Sequence, residues 1–236
     1  VAQLCQRLNL QLEDVFPTER VADAAVLKVL EKIEFDLITS EYHDAETLLA
    51  KIADQPRHDR ETKLQYCYLK GYVAALNHHP ISDVLFNFDQ IITDLDESHT
   101  TIYTQLAYCG TGIAYQFNHD ANKAQYYFEK VRHALPNLPL ETTASVWRVI
   151  NLAYYTGNFY ASIDQPDQSL KLLNYAIKIC SQFHVTYYAA WVKFLQAQLI
   201  EDPAQVQEYL NDATAFARIN NNHQLLKKIS SYSSSL

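Results

Sequence analysis

The sequence predicts an all-α fold, a right-handed α-solenoid of about five helical hairpins. Three observations carry that prediction. The 236 residues include only 4 Gly and 7 Pro, too few breakers for a chain built of strands and tight turns. Apolar residues recur with a helical period almost throughout. Longer and shorter helical segments alternate with brief connectors, several marked by proline (Pro56, Pro80, Pro136, Pro166, Pro203), as expected of a stacked repeat.

The elements follow in order. Val21, Ala25, Leu27, Leu30, Ile33 and Leu37 stripe a first helix, and Ala45, Leu48, Leu49 and Ile52 a second. Leu64 to Leu76 and Val84 to Leu95 form the next pair, then Ile102 to Phe117 with Ala121 to Leu135. Thr142 to Ile163 pairs with Ser169 to Cys180, and Tyr187 to Ile200 with Val206 to Ile219, before a short last segment, His223 to Ser230. Asp202-Pro203 is a helix start: Asp accepts from a free backbone N–H, and proline loses nothing at the first helical position. The polar tail, residues 231–236, has no periodicity and is expected to fray.

An internal repeat is keyed to glycine. Gly112 is followed by Tyr115 three residues on, Ala124 twelve on and Phe128 sixteen on. Gly157 is followed by Tyr160, Ser169 and Leu173 at the same spacings, then Ala176. Small residues let the two helices of a hairpin approach, and the large ones fill the space between hairpins. This spacing resembles the tetratricopeptide repeat. Tyr42, Ala45 and Leu49 match the second half of such a repeat, and Gly71 opens another, although Asp83 stands where its small residue should be. The glycines recur at more than the ~34 residues of a standard repeat, so the first helices are expected to be longer by one or two turns. The tetratricopeptide-like domain is placed at 18–230.

Composition narrows the function. The formal net charge is −8, which makes these residues poor nucleic-acid binders by their own field. No run of ~18 apolar residues is present to span a membrane. The four cysteines, Cys5, Cys67, Cys109 and Cys180, are widely spaced and suit buried free thiols. No HExxH, GxGxxG, P-loop or GxSxG occurs, so an enzyme is not expected. His78 and His79 are adjacent on a connector without further ligands at metal spacing, and neither a metal nor a cofactor is expected. Asp94, Asp96 and Glu97 read as solvated charge near a helix end.

The opening stretch, residues 1–17, bears on partners. A short apolar helix (Val1, Leu4, Cys5, Leu8) stops at Leu8-Asn9, and Leu12, Glu13-Asp14 and Val15-Phe16 follow. That order resembles the last helix and exit of a Cro/CI-type helix-turn-helix domain. The absence of methionine fits a chain whose DNA-reading segment lies upstream. A helix-turn-helix tail followed by long tetratricopeptide hairpins resembles the RRNPP family of bacterial peptide-sensing transcription regulators, the Rgg/PlcR type. The resemblance implies a cytoplasmic homodimer that binds DNA through the preceding domain and takes a short signalling peptide, as in quorum sensing, on the concave face. The alternative is a tetratricopeptide adaptor for protein–protein interaction without DNA function.

In such solenoids the first helix of each hairpin lines the concave surface. Counting from the repeat glycines, the candidate peptide-binding residues are Gln65, Tyr68 and Tyr72 around Gly71, Gln116 near Gly112, and Asn151, Tyr154 and Asn158 around Gly157. Tyr103 and Arg148 lie one turn earlier. Asn and Gln offer both a donor and an acceptor to an extended backbone. Arg148 can hold a carboxylate by two bonds, and tyrosine adds apolar area with a polar tip at low entropic cost. Asn151 is mildly unfavourable within a helix, so something should offset it.

Overall fold

The computed structural model describes residues 23–234. The stretch assigned above to a helix-turn-helix tail, with Cys5, lies outside them. Among the described residues there are eleven α-helices and no strand. Five hairpins pair α1 (Ala24–Ile38) with α2 (Tyr42–Lys51), α3 (Arg60–Leu76) with α4 (Ile81–Asp89), α5 (Ile102–Phe117) with α6 (Ala121–Ala134), α7 (Thr143–Ser162) with α8 (Pro166–Phe183), and α9 (Ala189–Gln198) with α10 (Pro203–Ile219). A last helix, α11 (His223–Ser233), packs on α9 and α10. The first helices touch in series, α1 to α3 to α5 to α7 to α9. They form the inner layer of an α-solenoid, with the second helices outside.

The hairpin turns repeat one device. After α1, α3, α5, α7 and α10 a residue enters the left-handed region: Ser40, His78, His119, Asp164 and Asn221. Each time the next residue's N–H reaches a carbonyl five residues back, as Glu41 to Asp36, His79 to Ala74, Asp120 to Tyr115, Gln165 to Tyr160 and Asn222 to Ala217. This is the Schellman closure of a helix end. Asn, Asp and His tolerate the left-handed conformation better than most non-glycine residues, which gives His78 and His119 a backbone role.

The four glycines sit where inner helices meet large side chains. A Cβ on Gly71 or Gly110 would lie 2.5 Å or 2.1 Å from the ring of Phe88, which both glycines flank, and one on Gly112 would lie 2.8 Å from Phe128. Gly157 leaves more room, 3.2 Å to a Leu173 methyl. The repeat spacing slips by one residue in the second hairpin. Its connector, Asn77 to Pro80, is one residue longer than Asn118 to Asp120 or Ile163 to Gln165. Val84 therefore takes the buried position and Asp83 stays exposed, which explains the mismatch at Asp83.

One expectation is corrected. Asp96 is not solvated: it is fully buried and accepts from the hydroxyls of Thr104 (2.6 Å) and Thr101 (2.8 Å) and from the N–H of Thr101 (3.0 Å). It organises the connector into α5, where burying a carboxylate is tolerated because its oxygens are satisfied. Helix α11 continues to Ser233, and Tyr232 packs edge-on against Phe194. Cys67, Cys109 and Cys180 are free and buried.

Gly110→Ala should destabilise the chain, because an overpacking cost of about 1–3 kcal/mol outweighs a helix-propensity gain of up to ~1 kcal/mol. Gly157→Ala should be near neutral. Urea unfolding of the two variants beside the parent checks the difference.

Candidate functional site

The inner faces of α1, α3, α5, α7 and α9 converge on a polar cluster set in aromatic rings. Glu34 of α1 and Arg148 of α7, separated by 114 residues in sequence, meet there in a buried pair. Arg148 donates from Nε to Glu34 Oε1 at 2.7 Å and from Nη2 to Oε2 at 2.9 Å. Gln65 of α3 donates to the same carboxylate at 3.2 Å. The guanidinium carbon lies 4.9 Å from the centre of the Tyr103 ring. Burial opposes the Arg148 charge, but the Glu34 carboxylate outweighs it, and the pKa of Arg148 is raised.

A second set lies one turn further along α7. Tyr72 donates its hydroxyl to Asn151 Oδ1 at 3.1 Å, and Asn151 Nδ2 donates to the Tyr188 hydroxyl at 2.6 Å. These bonds offset the low helix propensity of Asn151. Tyr68 packs edge-on to Tyr72, with ring centres 5.0 Å apart, and Tyr154 stacks on Tyr188 at 5.5 Å.

Six of the nine predicted residues, Gln65, Tyr68, Tyr72, Tyr103, Arg148 and Asn151, are thus brought together and buried, engaged with one another and with Glu34 and Tyr188. Tyr154 and Asn158 line an open cavity beyond them. Gln116 stands apart and donates to Ser162 at 3.0 Å. Counting from glycines missed Glu34, because α1 has none. Its signal was legible all the same: Glu34 sits midway between Leu30 and Ile38 on an apolar helix face. Tyr188 was missed because the last hairpin has no repeat glycine.

The cluster divides the groove. On the side of the N-terminal ends of α3 and α7 lies a cavity of about 740 Å³, lined by Glu31, Glu34, Asp59, Glu61, Gln65, Tyr103, Trp147 and Arg148 among others. On the opposite side lies one of about 510 Å³, lined by Ser40, Tyr42, His78, Phe117, Tyr154, Asn158, Tyr188, Trp191 and Lys228 among others. Between them the space narrows to about 10 Å³ at Glu34, Tyr68, Trp147, Arg148, Asn151 and Tyr188. Trp147 and Ser40 line these cavities, and their buried Nε1 and Oγ atoms have no hydrogen-bond partner among the described residues. Among the described residues no group of three or more His, Cys, Asp or Glu is placed to hold a metal ion, and no helix is long and apolar enough to cross a membrane.

No protein-family model matches the chain, and no curated protein does. Among solved structures, the crystal structure of Bacillus thuringiensis PlcR in complex with the peptide PapR7 and DNA is similar, with a TM-score of 0.74 at 11% identity over 97% of this chain and 82% of that one. The likeness is one of fold. It sets the α-solenoid described here beside that of a protein solved with a peptide and DNA bound.

Removing either member of the ion pair strands the other. Glu34→Ala and Arg148→Ala should each cost about 3–5 kcal/mol, whereas the double change Glu34→Gln with Arg148→Met should cost much less; denaturant unfolding of the set checks this. Burial pushes the phenols of Tyr68, Tyr72, Tyr155 and Tyr188 well above their ordinary range, and that of Tyr103 to about 12. The folded state then holds these protons more tightly than the unfolded state. The stability they contribute is complete below pH ~10, where unfolded phenols begin to ionise, and is lost as the pH rises through the folded values. Circular dichroism and phenolate absorbance followed from pH 9 to 13 should show unfolding and tyrosine ionisation together.

Proposed function

We propose that this chain is the sensor and dimerisation part of a bacterial transcription regulator that binds a short peptide on the concave face of its solenoid. The observation that carries the reading is the inner groove itself. It has two cavities with aromatic and polar walls, suited to an extended backbone with unpaired N–H and C=O groups. The fold likeness to PlcR, which was solved with a peptide and DNA, supports it. On this reading residues 1–17 end a helix-turn-helix domain, residues 18–230 form the sensor, and the protein works as a cytoplasmic homodimer. Two-fold symmetry would match paired half-sites on DNA. The peptide would bias an equilibrium between two arrangements of the dimer.

The test is a mobility-shift assay of the intact gene product on DNA upstream of its own gene, with and without a peptide fraction from spent medium of the producing organism. Retardation that changes with the peptide fraction is the expected outcome. No retardation under any condition would leave the adaptor reading in its place.

A further inference from the structure

Helices that are neighbours in the solenoid are held by apolar packing. The inner helices touch in series, and Leu30, Leu69, Leu106 and Val149 from four of them share one core. Polar contacts reach further, across the groove. Glu34 of the first hairpin holds Arg148 of the fourth through two bonds. Tyr42 of the first is hydrogen-bonded to Tyr155 of the fourth. Tyr72 of the second donates to Asn151 of the fourth. The fourth hairpin supplies all its members from one stretch of α7, Arg148 to Tyr155.

These ties stand where the groove is narrowest. The cavities of about 740 Å³ and 510 Å³ both border α7, and the space between them at Glu34, Arg148 and Asn151 is about 10 Å³. Thr143 beside the first cavity and Asn158 beside the second lie roughly 22 Å apart along α7 at 1.5 Å per residue, the reach of about seven residues of extended chain. A ligand that runs from one mouth of the groove to the other therefore displaces the ties. Apolar packing offers nothing to exchange with a peptide backbone, but hydrogen bonds do. Each ligand residue other than proline brings an N–H and a C=O, and the side chains of Asn, Tyr, Glu and Arg can turn to these from one another. Replacing one neutral bond by another leaves little net cost. The ion pair resists most, because two charges parted inside a protein lose more than neutral groups do.

We infer that the chain holds its own groove closed: the Glu34–Arg148 pair, with Tyr42–Tyr155 and Tyr72–Asn151 beside it, is a clasp between the first two hairpins and the fourth, which a peptide long enough to reach both cavities opens by taking over its donors and acceptors. This rests on the peptide-binding function proposed above and adds how that site is regulated. The closed form competes with the ligand, since apparent affinity falls with the fraction of molecules that are open. Peptides confined to one cavity leave the clasp shut. Ligand length then selects which peptides change the spacing of the hairpins.

The experiment compares the 236-residue chain with Glu34→Gln plus Arg148→Met, which removes both charges together. Glu34→Gln alone is the milder companion, and circular dichroism checks that each variant folds. The two tryptophans report on the groove, because Trp147 borders the narrow centre and Trp191 the cavity beyond it. Without ligand, acrylamide should quench tryptophan emission more strongly in the variants than in the parent. Each protein is then incubated with random heptapeptides or random tripeptides, and bound peptides are quantified by mass spectrometry. Expected is a gain of about five- to tenfold in heptapeptide recovery by the double variant, as the open fraction rises, with tripeptide recovery unchanged. Unchanged quenching, heptapeptide recovery no greater than the parent's, or an equal gain for tripeptides would overturn the clasp while leaving peptide binding intact. No heptapeptide recovered by any of the proteins would overturn both.

Discussion

Arg148 and Glu34 hold each other by two parallel hydrogen bonds across the inside of the solenoid. Repeat hairpins ordinarily touch only their neighbours, and stability propagates along the array. Here one pair of side chains ties the first hairpin to the fourth. Two charges removed from water repay that cost only when their geometry is good and their remaining donors and acceptors are satisfied. Gln65 on the carboxylate and Tyr103 beneath the guanidinium contribute to that condition. The width of the groove therefore depends on a contact that either a change of charge or a competing ligand can undo.

The inner layer reaches this closeness because glycine is reserved for helix contacts. Gly71 and Gly110 admit the Phe88 ring between them, and Gly112 admits Phe128. The left-handed turn positions, where glycine would be easiest, are filled by Ser, His, Asp and Asn. Glycine is thus used where no Cβ fits, and turns are left to residues that can bear a positive φ at modest cost. Tightly packed inner helices then bring tyrosines from α3, α5 and α7 into one cluster with Tyr188 at the start of α9, and Tyr188, which satisfies Asn151, also lines the cavity next to it.

The groove is consequently asymmetric along its length. Carboxylates gather near the N-terminal ends of α3 and α7, and a lone lysine supplied by α11 stands at the other mouth. Acidic residues placed near helix N-termini are favoured by the helix dipole, so part of this polarity serves the helices themselves.

Much of the architecture was legible before any coordinates. Helical period marked nearly every helix, because an amphipathic helix must bury one stripe, and the glycine spacing marked the hairpins where a ring must approach a backbone. The candidate site residues were named by counting from those glycines, and six of them share one cluster. Hairpins without a repeat glycine escaped the count, so Glu34 and Tyr188 were missed, and a single extra residue in one connector displaced the register at Asp83. Local pattern determined which residues form helices and which face of each is inner, since both depend on neighbours three or four positions away. The tertiary structure alone decided that Arg148 is paired with Glu34, that Asp96 is buried, and that charge separates between two mouths, because those outcomes depend on side chains tens of residues apart being carried to one place by the winding of the solenoid.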